Sequence, residues 1–227
     1  MLLAKMSQRS DYWSKFKNYG DFISSTQVAA IFHGSSFMSK KKLYNVLKGK
    51  EKRPHYENDA MRYGKDMEDK TLMKALGFLK GKGLIDEQKG TVHRCGTIVH
   101  PLKNVCCSPD SVYVEEKKSI VGIEVKTCYT KKCPQKVEDL PLQYLLQCFV
   151  SIYVTEADRW YLYYHDHMVG EYSCYVVGRN NDLWEHVLEG IEEFRNCKTE
   201  PGRKNPRDKM NAEWLRDRLI METTKSS

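Results

Sequence analysis

Apolar positions along this chain recur with two periods, and the switches between them mark the elements. From Ser7 to about Phe32, Tyr12, Trp13 and Phe16 cluster ahead of Gly20, and Ser24-Ser25-Thr26 precedes Val28-Ala29-Ala30-Ile31. A hydroxyl just before a helix accepts from the first free backbone amides, so this text predicts helix, turn, helix, capped at the serines. The same amides and hydroxyls make a seat for an anion. A basic, loop-rich stretch follows, Lys40-Lys41-Lys42 and then Lys48 to Arg53. A phosphate contact, a solvated surface and a nuclear-import patch all fit it. The helical period returns from about Asn58 to Leu76, through Met61, Gly64, Leu72, Ala75 and Leu76, with Gly77 as a left-handed stop. Glu68 falls in that apolar stripe. A carboxylate buried without compensation is costly, so Glu68 either meets a basic partner or points into a metal-bearing cleft, where Gly64 one turn earlier leaves room.

Period two takes over in the middle of the chain. Val105 to Val114 and Ile120 to Thr127 read as antiparallel strands joined through Glu115-Glu116-Lys117-Lys118. Lys131, Lys132 and Lys136 lie in a polar connection broken by Cys133-Pro134. The next helix has Asp139 near its start and Pro141 in its first turn, where proline is tolerated. It buries Leu142, Leu145, Leu146, Phe149 and Val150, while Tyr144, Gln147 and Ser151 share a more polar stripe that can face the same cleft as Glu68. Trp160 to Tyr164 and Tyr172 to Val177 alternate as strands, and Leu183, Trp184, Val187, Leu188, Ile191 and Phe194 mark a further helix. Lys198 to Lys209 is basic and broken, and Trp214, Leu215, Leu219 and Ile220 predict a short amphipathic helix that caps the core or binds a neighbour. The organisation is one domain over 1–197 and a basic extension over 198–227.

Composition narrows the classes. A chain of 227 residues, 41% hydrophobic, can bury one good core. The formal charge of +7 suits a polyanionic partner without demanding one. No apolar run reaches the about 20 residues of a membrane span, and Met1-Leu2-Leu3-Ala4-Lys5 lacks the apolar region of a signal peptide. The expectation is an intracellular protein, in cytoplasm or a host nucleus, without a membrane partner. The eight cysteines form no C-x-x-C pair, which favours reduced, partly buried thiols. His93 with Cys95, and His165 with His167, lack the second ligand pair of a zinc finger. There is no internal repeat, no phosphate-binding glycine loop and no Ser-His-Asp signature.

The candidate chemistry lies in Cys107-Ser108-Pro109-Asp110 followed by Gly122-Ile123-Glu124-Val125-Lys126. On a strand, Glu124 and Lys126 project from one side while Ile123 and Val125 bury on the other. Two carboxylates brought to about 4 Å repel by about 4 kcal/mol at an effective dielectric near 20, so Asp110 and Glu124 call for a cation between them. Oxygen-only ligands select a hard ion, magnesium or manganese. An ammonium two residues beyond the second carboxylate orients or helps deprotonate a water for attack on phosphorus. Either half alone is also an ordinary turn or solvated strand; the two in this order are more specific.

Four segments in register, Gly64-Lys65-Asp66-Met67-Glu68, Cys107-Ser108-Pro109-Asp110, Gly122 to Cys128, and Tyr144-Leu145-Leu146-Gln147 followed by Val154-Thr155, resemble the YqaJ-like viral recombinase family, typified by phage lambda exonuclease. The likeness runs from about Trp13 to Val177. It implies an α/β fold, a restriction-endonuclease-like core with a mixed central sheet flanked by helices. It also implies a magnesium-dependent enzyme, manganese substituting, that degrades one strand of linear double-stranded DNA from a 5′ end and leaves a 3′ overhang for recombination. Carried onto this sequence, Asp110, Glu124 and the Val125 carbonyl would ligate metal, Glu68 would support the metal or its waters, Lys126 would position the attacking water, and Gln147 would hold the nucleophile or the substrate end. Ser108 matches a position that helps hold a terminal 5′ phosphate. The family's Trp, Arg and Ile-Thr-Ala-Ser run becomes Trp13, Lys15 and Lys17, and Ile23-Ser24-Ser25-Thr26, so charge is kept without the bidentate fork of arginine. With Tyr144, Lys131 and Lys132, these complete the DNA-binding candidates. The resemblance further implies a single-strand annealing partner and a ring-shaped homotrimer; the cysteine spacing argues against the iron–sulfur cluster of some wider relatives. Two alternatives stay open. One is the same site acting on internal DNA sites or on RNA, as in host-shutoff nucleases; the other is a nucleic-acid-binding module that has lost the chemistry.

Overall fold

Alternation along the strands gives a central sheet two apolar faces, and helices cover both. A computed structural model describes residues 22–32, 35–52, 57–100, 103–115, 119–130, 132–202 and 212–225. In chain order the elements are β1 (Ile23–Ser24), α1 (Ser25–Ile31), α2 (Lys40–Leu47), α3 (Asp59–Gly81), β2 (Gly90–His93), β3 (Ile98–Val99), β4 (Val105–Cys107), β5 (Ser111–Glu115) and β6 (Ile120–Thr127). After a 3-10 turn at Val137–Asp139 come α4 (Leu142–Thr155), β7 (Arg159–His165), β8 (Tyr172–Val177), α5 (Asn181–Asn196), α6 (Ala212–Leu219) and β9 (Ile220–Lys225). The large sheet has the order β2-β5-β6-β7-β8-β9, mixed because β6 and β7 run parallel while the other pairs are antiparallel. A small sheet, β1-β4-β3, stands apart from it.

On one face of the large sheet Val121, Ile123 and Val125 of β6 and Tyr161 and Tyr163 of β7 pack with Leu72, Ala75 and Leu79 of α3. On the other, Trp160, Leu162 and Tyr164 join the core built by α1, α4 and α5. The period-two reading of β6 therefore holds. Gly122 faces the α4 side opposite Trp160, its partner in the parallel register. A Cβ there would lie 2.0 Å from the indole, so only glycine lets the fully buried tryptophan lie flat against the strand. α4 is enclosed on all sides, with every residue from Leu145 to Thr155 buried, which suits its almost unbroken apolar text.

Several expectations need correction. Val105 to Val114 is not one strand: Ser108 to Asp110 leave the ladder, β4 pairs with β1 and β3, and only β5 pairs with β6. Proline cannot donate to a ladder, so the break falls at Pro109. The Lys40 stretch is a helix, capped by Ser39, whose Oγ accepts from the Lys42 N–H at 3.2 Å, with Leu43 and Tyr44 buried beneath. α3 passes through Gly77 to Gly81 because fully buried Leu79 needs the further turn, and the left-handed residue is Gly83, φ 66°. Met61 lies outside the buried stripe, which runs through Thr71, Leu72, Ala75 and Leu79. Pro141 precedes α4 as its cap, and Asp139 ends the 3-10 turn. Beyond Asn196, α6 sets Leu215 and Leu219 fully into the core, and Ile220 opens an edge strand on β8 where the sequence pattern shows only helix. None of the described helices is long and apolar enough to cross a membrane.

Candidate active site

Strand β5 begins opposite Ile123, so Val125 of β6 has no strand partner on that edge. Asp110, from the break between β4 and β5, fills the vacancy: its Oδ2 accepts from the Val125 N–H at 2.7 Å. The departure of the chain from the ladder is thus what brings the first carboxylate beside β6. Burial pushes the Asp110 carboxyl well above the ordinary carboxylate range, and the Glu124 charge adds to this. Lys126 and the Val125 amide act against the rise, and Glu68 reinforces it.

Glu124, 3% exposed, points the other way from Ile123, toward α4. Its Oε1 accepts from the Lys126 Nζ at 2.5 Å and from the Gln147 Nε2 at 2.5 Å. Both are charge-assisted bonds to one oxygen, and they fix the carboxylate between sheet and helix. The Lys126 ammonium also stands 4.7 Å from the Tyr144 ring centroid, where the ring face attracts it. Burial disfavours that ammonium, but the Glu124 and Asp110 carboxylates outweigh burial and raise its pKa.

These groups open on a cavity of about 380 Å³. Asp110, Glu124 and Lys126 form its floor; Gln143, Tyr144 and Gln147 of α4 form one wall. Ser24, Ser25 and Thr26 at the start of α1, with Ser108, form another, and Phe37 stands at the rim. Ser24 Oγ lies 2.9 Å from Thr26 Oγ1 and donates to Gln27 Oε1 at 3.1 Å, while Ser108 Oγ lies 3.0 Å from Thr97 Oγ1. The cavity therefore unites Asp110, Glu124, Lys126, Gln147, Ser108, Ser24, Ser25, Thr26 and Tyr144, all expected from sequence.

Other candidates stand elsewhere. Glu68 is half-buried on α3 and does not line the cavity, but it is close enough for its charge to act on Asp110. Lys132 is exposed and outside the lining. Lys15, Lys17 and Lys131 lie outside the described residues. Ser151 turns inward and donates to the Gln147 carbonyl at 2.7 Å, a local bond that withdraws it from the polar stripe. Two lining residues escaped the sequence reading. Gln143 lies one helical turn before Gln147, a spacing that marks the shared face. Its Oε1 accepts from both the Ser36 amide, 2.8 Å, and the Ser36 hydroxyl, 2.9 Å, and so pins the rim loop to α4. Phe37, 63% exposed, rides on that loop with its ring 6.5 Å from Tyr144; a single aromatic among serines carries no periodic signal.

No three side chains among His, Cys, Asp and Glu group as a closed metal site among the described residues. Asp110 and Glu124 offer an open pair instead. One or two carboxylates with water and substrate completing the shell is how magnesium is usually held.

The sequence matches the YqaJ-like viral recombinase domain over residues 12–158. Among solved structures, the chain is similar to an alkaline exonuclease, LHK-Exo, from Laribacter hongkongensis: TM-score 0.58 and 18% identity, covering 82% of this chain and 91% of that one. The complex of LHK-Exo with dAMP gives TM-score 0.57 and 17% identity, over 79% and 90% of the two chains. The shared architecture is the restriction-endonuclease-like fold. Comparison with curated proteins gave no match.

Proposed function

The chain belongs to the YqaJ-like viral recombinase domain family, and from that premise we propose that it is a metal-dependent deoxyribonuclease. It digests linear duplex DNA from a 5′ end and leaves 3′ single-stranded overhangs. One observation carries the reading above the others: Asp110 and Glu124, 14 positions apart in sequence, meet beside Lys126 in one cavity large enough for a nucleotide end.

The donor set fits magnesium, with manganese as a substitute. It is all oxygen, and it leaves a carboxyl whose ionisation is opposed by burial and by two neighbouring acids. Asp110, Glu124 and the Val125 carbonyl would hold the ion, with Glu68 reaching it through water. Bound there, the ion would supply charge stabilisation for the phosphoryl group in flight and acidify the attacking water. The chain's own residues do the rest. Lys126, fixed by Glu124 and Tyr144, donates a hydrogen bond that aligns the water against phosphorus. Gln147 keeps the Glu124 carboxylate turned toward the floor. The hydroxyls of Ser24, Ser25, Thr26 and Ser108 receive the terminal phosphate, and the Phe37 and Tyr144 rings receive the adjoining bases, for which stacking supplies about 1–3 kcal/mol each.

The test is an end-labelled linear duplex, with and without a 5′ phosphate, incubated with magnesium or with EDTA. Short labelled products from the 5′ end, dependent on magnesium, support the reading. Cleavage of closed circular duplex or of RNA at an equal rate moves the same site to internal or RNA substrates. Tight binding without cleavage in magnesium or manganese identifies a silent binding module.

A further inference from the structure

The spacing of Cys128 and Cys133 resembles no redox motif, yet their sulfurs lie 3.2 Å apart, and neither residue lines the cavity of the proposed chemistry. Separate anchors hold the two residues in place. The Cys128 amide donates to the His165 carbonyl at the end of β7, 2.9 Å, and the Cys133 Sγ lies 3.5 Å from the Glu171 carbonyl just before β8. The Tyr175 hydroxyl of β8 donates to the Pro134 carbonyl at 2.7 Å and fixes the chain beyond Cys133. A sulfur–sulfur bond is about 2.05 Å long, so closure needs a movement of only about 1 Å. Tyr129 and Thr130, next to Cys128, are exposed, which leaves the pair near the surface although both thiols are buried.

We propose that Cys128 and Cys133 form a modification site, a dithiol that a low-molecular-weight disulfide oxidises to an intramolecular cystine. The thiolate of one cysteine of the pair attacks one sulfur of the oxidant, forming a mixed disulfide and releasing one thiol. The other cysteine then gives up its proton, attacks the sulfur of the first and expels the second thiol. Two protein thiols are oxidised and one disulfide is reduced to two thiols. Either sulfur can be the donor in the bond between them, so either cysteine can begin the exchange. The other thiols differ. Burial raises the pKa of Cys107, Cys148 and Cys174, and none of the three has a sulfur hydrogen-bonded to a second cysteine sulfur among the described residues. The product ties the end of the strand that carries Lys126 to the segment leading into α4, which carries Gln143, Tyr144 and Gln147.

The experiment uses the whole chain equilibrated with glutathione disulfide, free thiols blocked with iodoacetamide after denaturation, and the peptides mapped by mass. The expected result is a Cys128–Cys133 crosslink lighter by two hydrogens, released by dithiothreitol. In the Cys128→Ser protein, Cys133 carries glutathione instead. Full alkylation of both cysteines in the unaltered protein, stable glutathione adducts on both, or crosslinks to other cysteines would each overturn the assignment. None of these readouts depends on nuclease activity, so the inference and the proposed function fail separately.

Discussion

At the residue scale, each side chain of the site matters for what it holds in place. Asp110→Ala removes the acceptor for the Val125 amide and one proposed ligand. Loss of several kcal/mol of transition-state stabilisation corresponds to a fall in rate of at least about 10³-fold, with the circular dichroism spectrum unchanged. Retained magnesium-dependent digestion by that variant would count against the assignment. Gln147→Ala removes one bond to a buried carboxylate, a class of bond contributing about 1.5–3 kcal/mol, so a smaller loss of kcat, about 10–100-fold, is expected in single-turnover assays. Phe37→Ala should raise KM or the Kd for duplex ends about tenfold while leaving the melting temperature unchanged, because the ring is mostly exposed. Phe37→Trp should restore binding. Glu124, Lys126 and Gln147 were legible because each sits at a strand or helix spacing that selects a face, and Asp110 through its place in the Cys107-Ser108-Pro109-Asp110 motif ahead of Glu124. Phe37 and Gln143 were not, since their place depends on how a loop of distant sequence settles on α4.

At the element scale, β6 is the piece that the sequence described best. Its alternation separates an apolar set, Val121, Ile123 and Val125, from a chemical set, Glu124 and Lys126, and the fold uses both faces. Gly122→Ala tests the packing behind the site. The added methyl meets the buried Trp160 indole, and overpacking of this kind costs about 1–3 kcal/mol, a drop of several degrees in melting temperature. An unchanged melting temperature would show that the indole is not pressed against the strand. The break between β4 and β5 was less legible. A Pro-Asp turn inside a run of alternating residues does not say that its two sides enter different sheets; that depends on β1 and β3, each only two residues long and without a periodic signal. The helical reading of the last segment holds over Ala212–Leu219 and stops short of Ile220 for a related reason. Ile220 continues the apolar text of α6, yet hydrogen bonding to the free edge of β8 draws it into a strand.

At the scale of the whole molecule, two helical layers hold a mixed sheet whose central strand β6 contributes Glu124 and Lys126 to the cavity. The C-terminal segment is part of this frame: Leu215→Ala, at a fully buried position, should cost about 2–5 kcal/mol in urea unfolding, and a value near zero would make α6 dispensable to the core. The proposed duplex binding, by a chain of net charge +7, should weaken with salt at a slope of about −0.9 per phosphate contacted. The most direct test of the central claim, that Asp110 and Glu124 share a divalent ion beside Lys126, is calorimetric titration of manganese into the protein and into its Asp110→Asn and Glu124→Gln forms. Saturable binding at millimolar or lower concentration, lost in both variants while their folds persist, is the predicted result. Absence of binding to the unaltered protein, or equal binding by the variants, would contradict it.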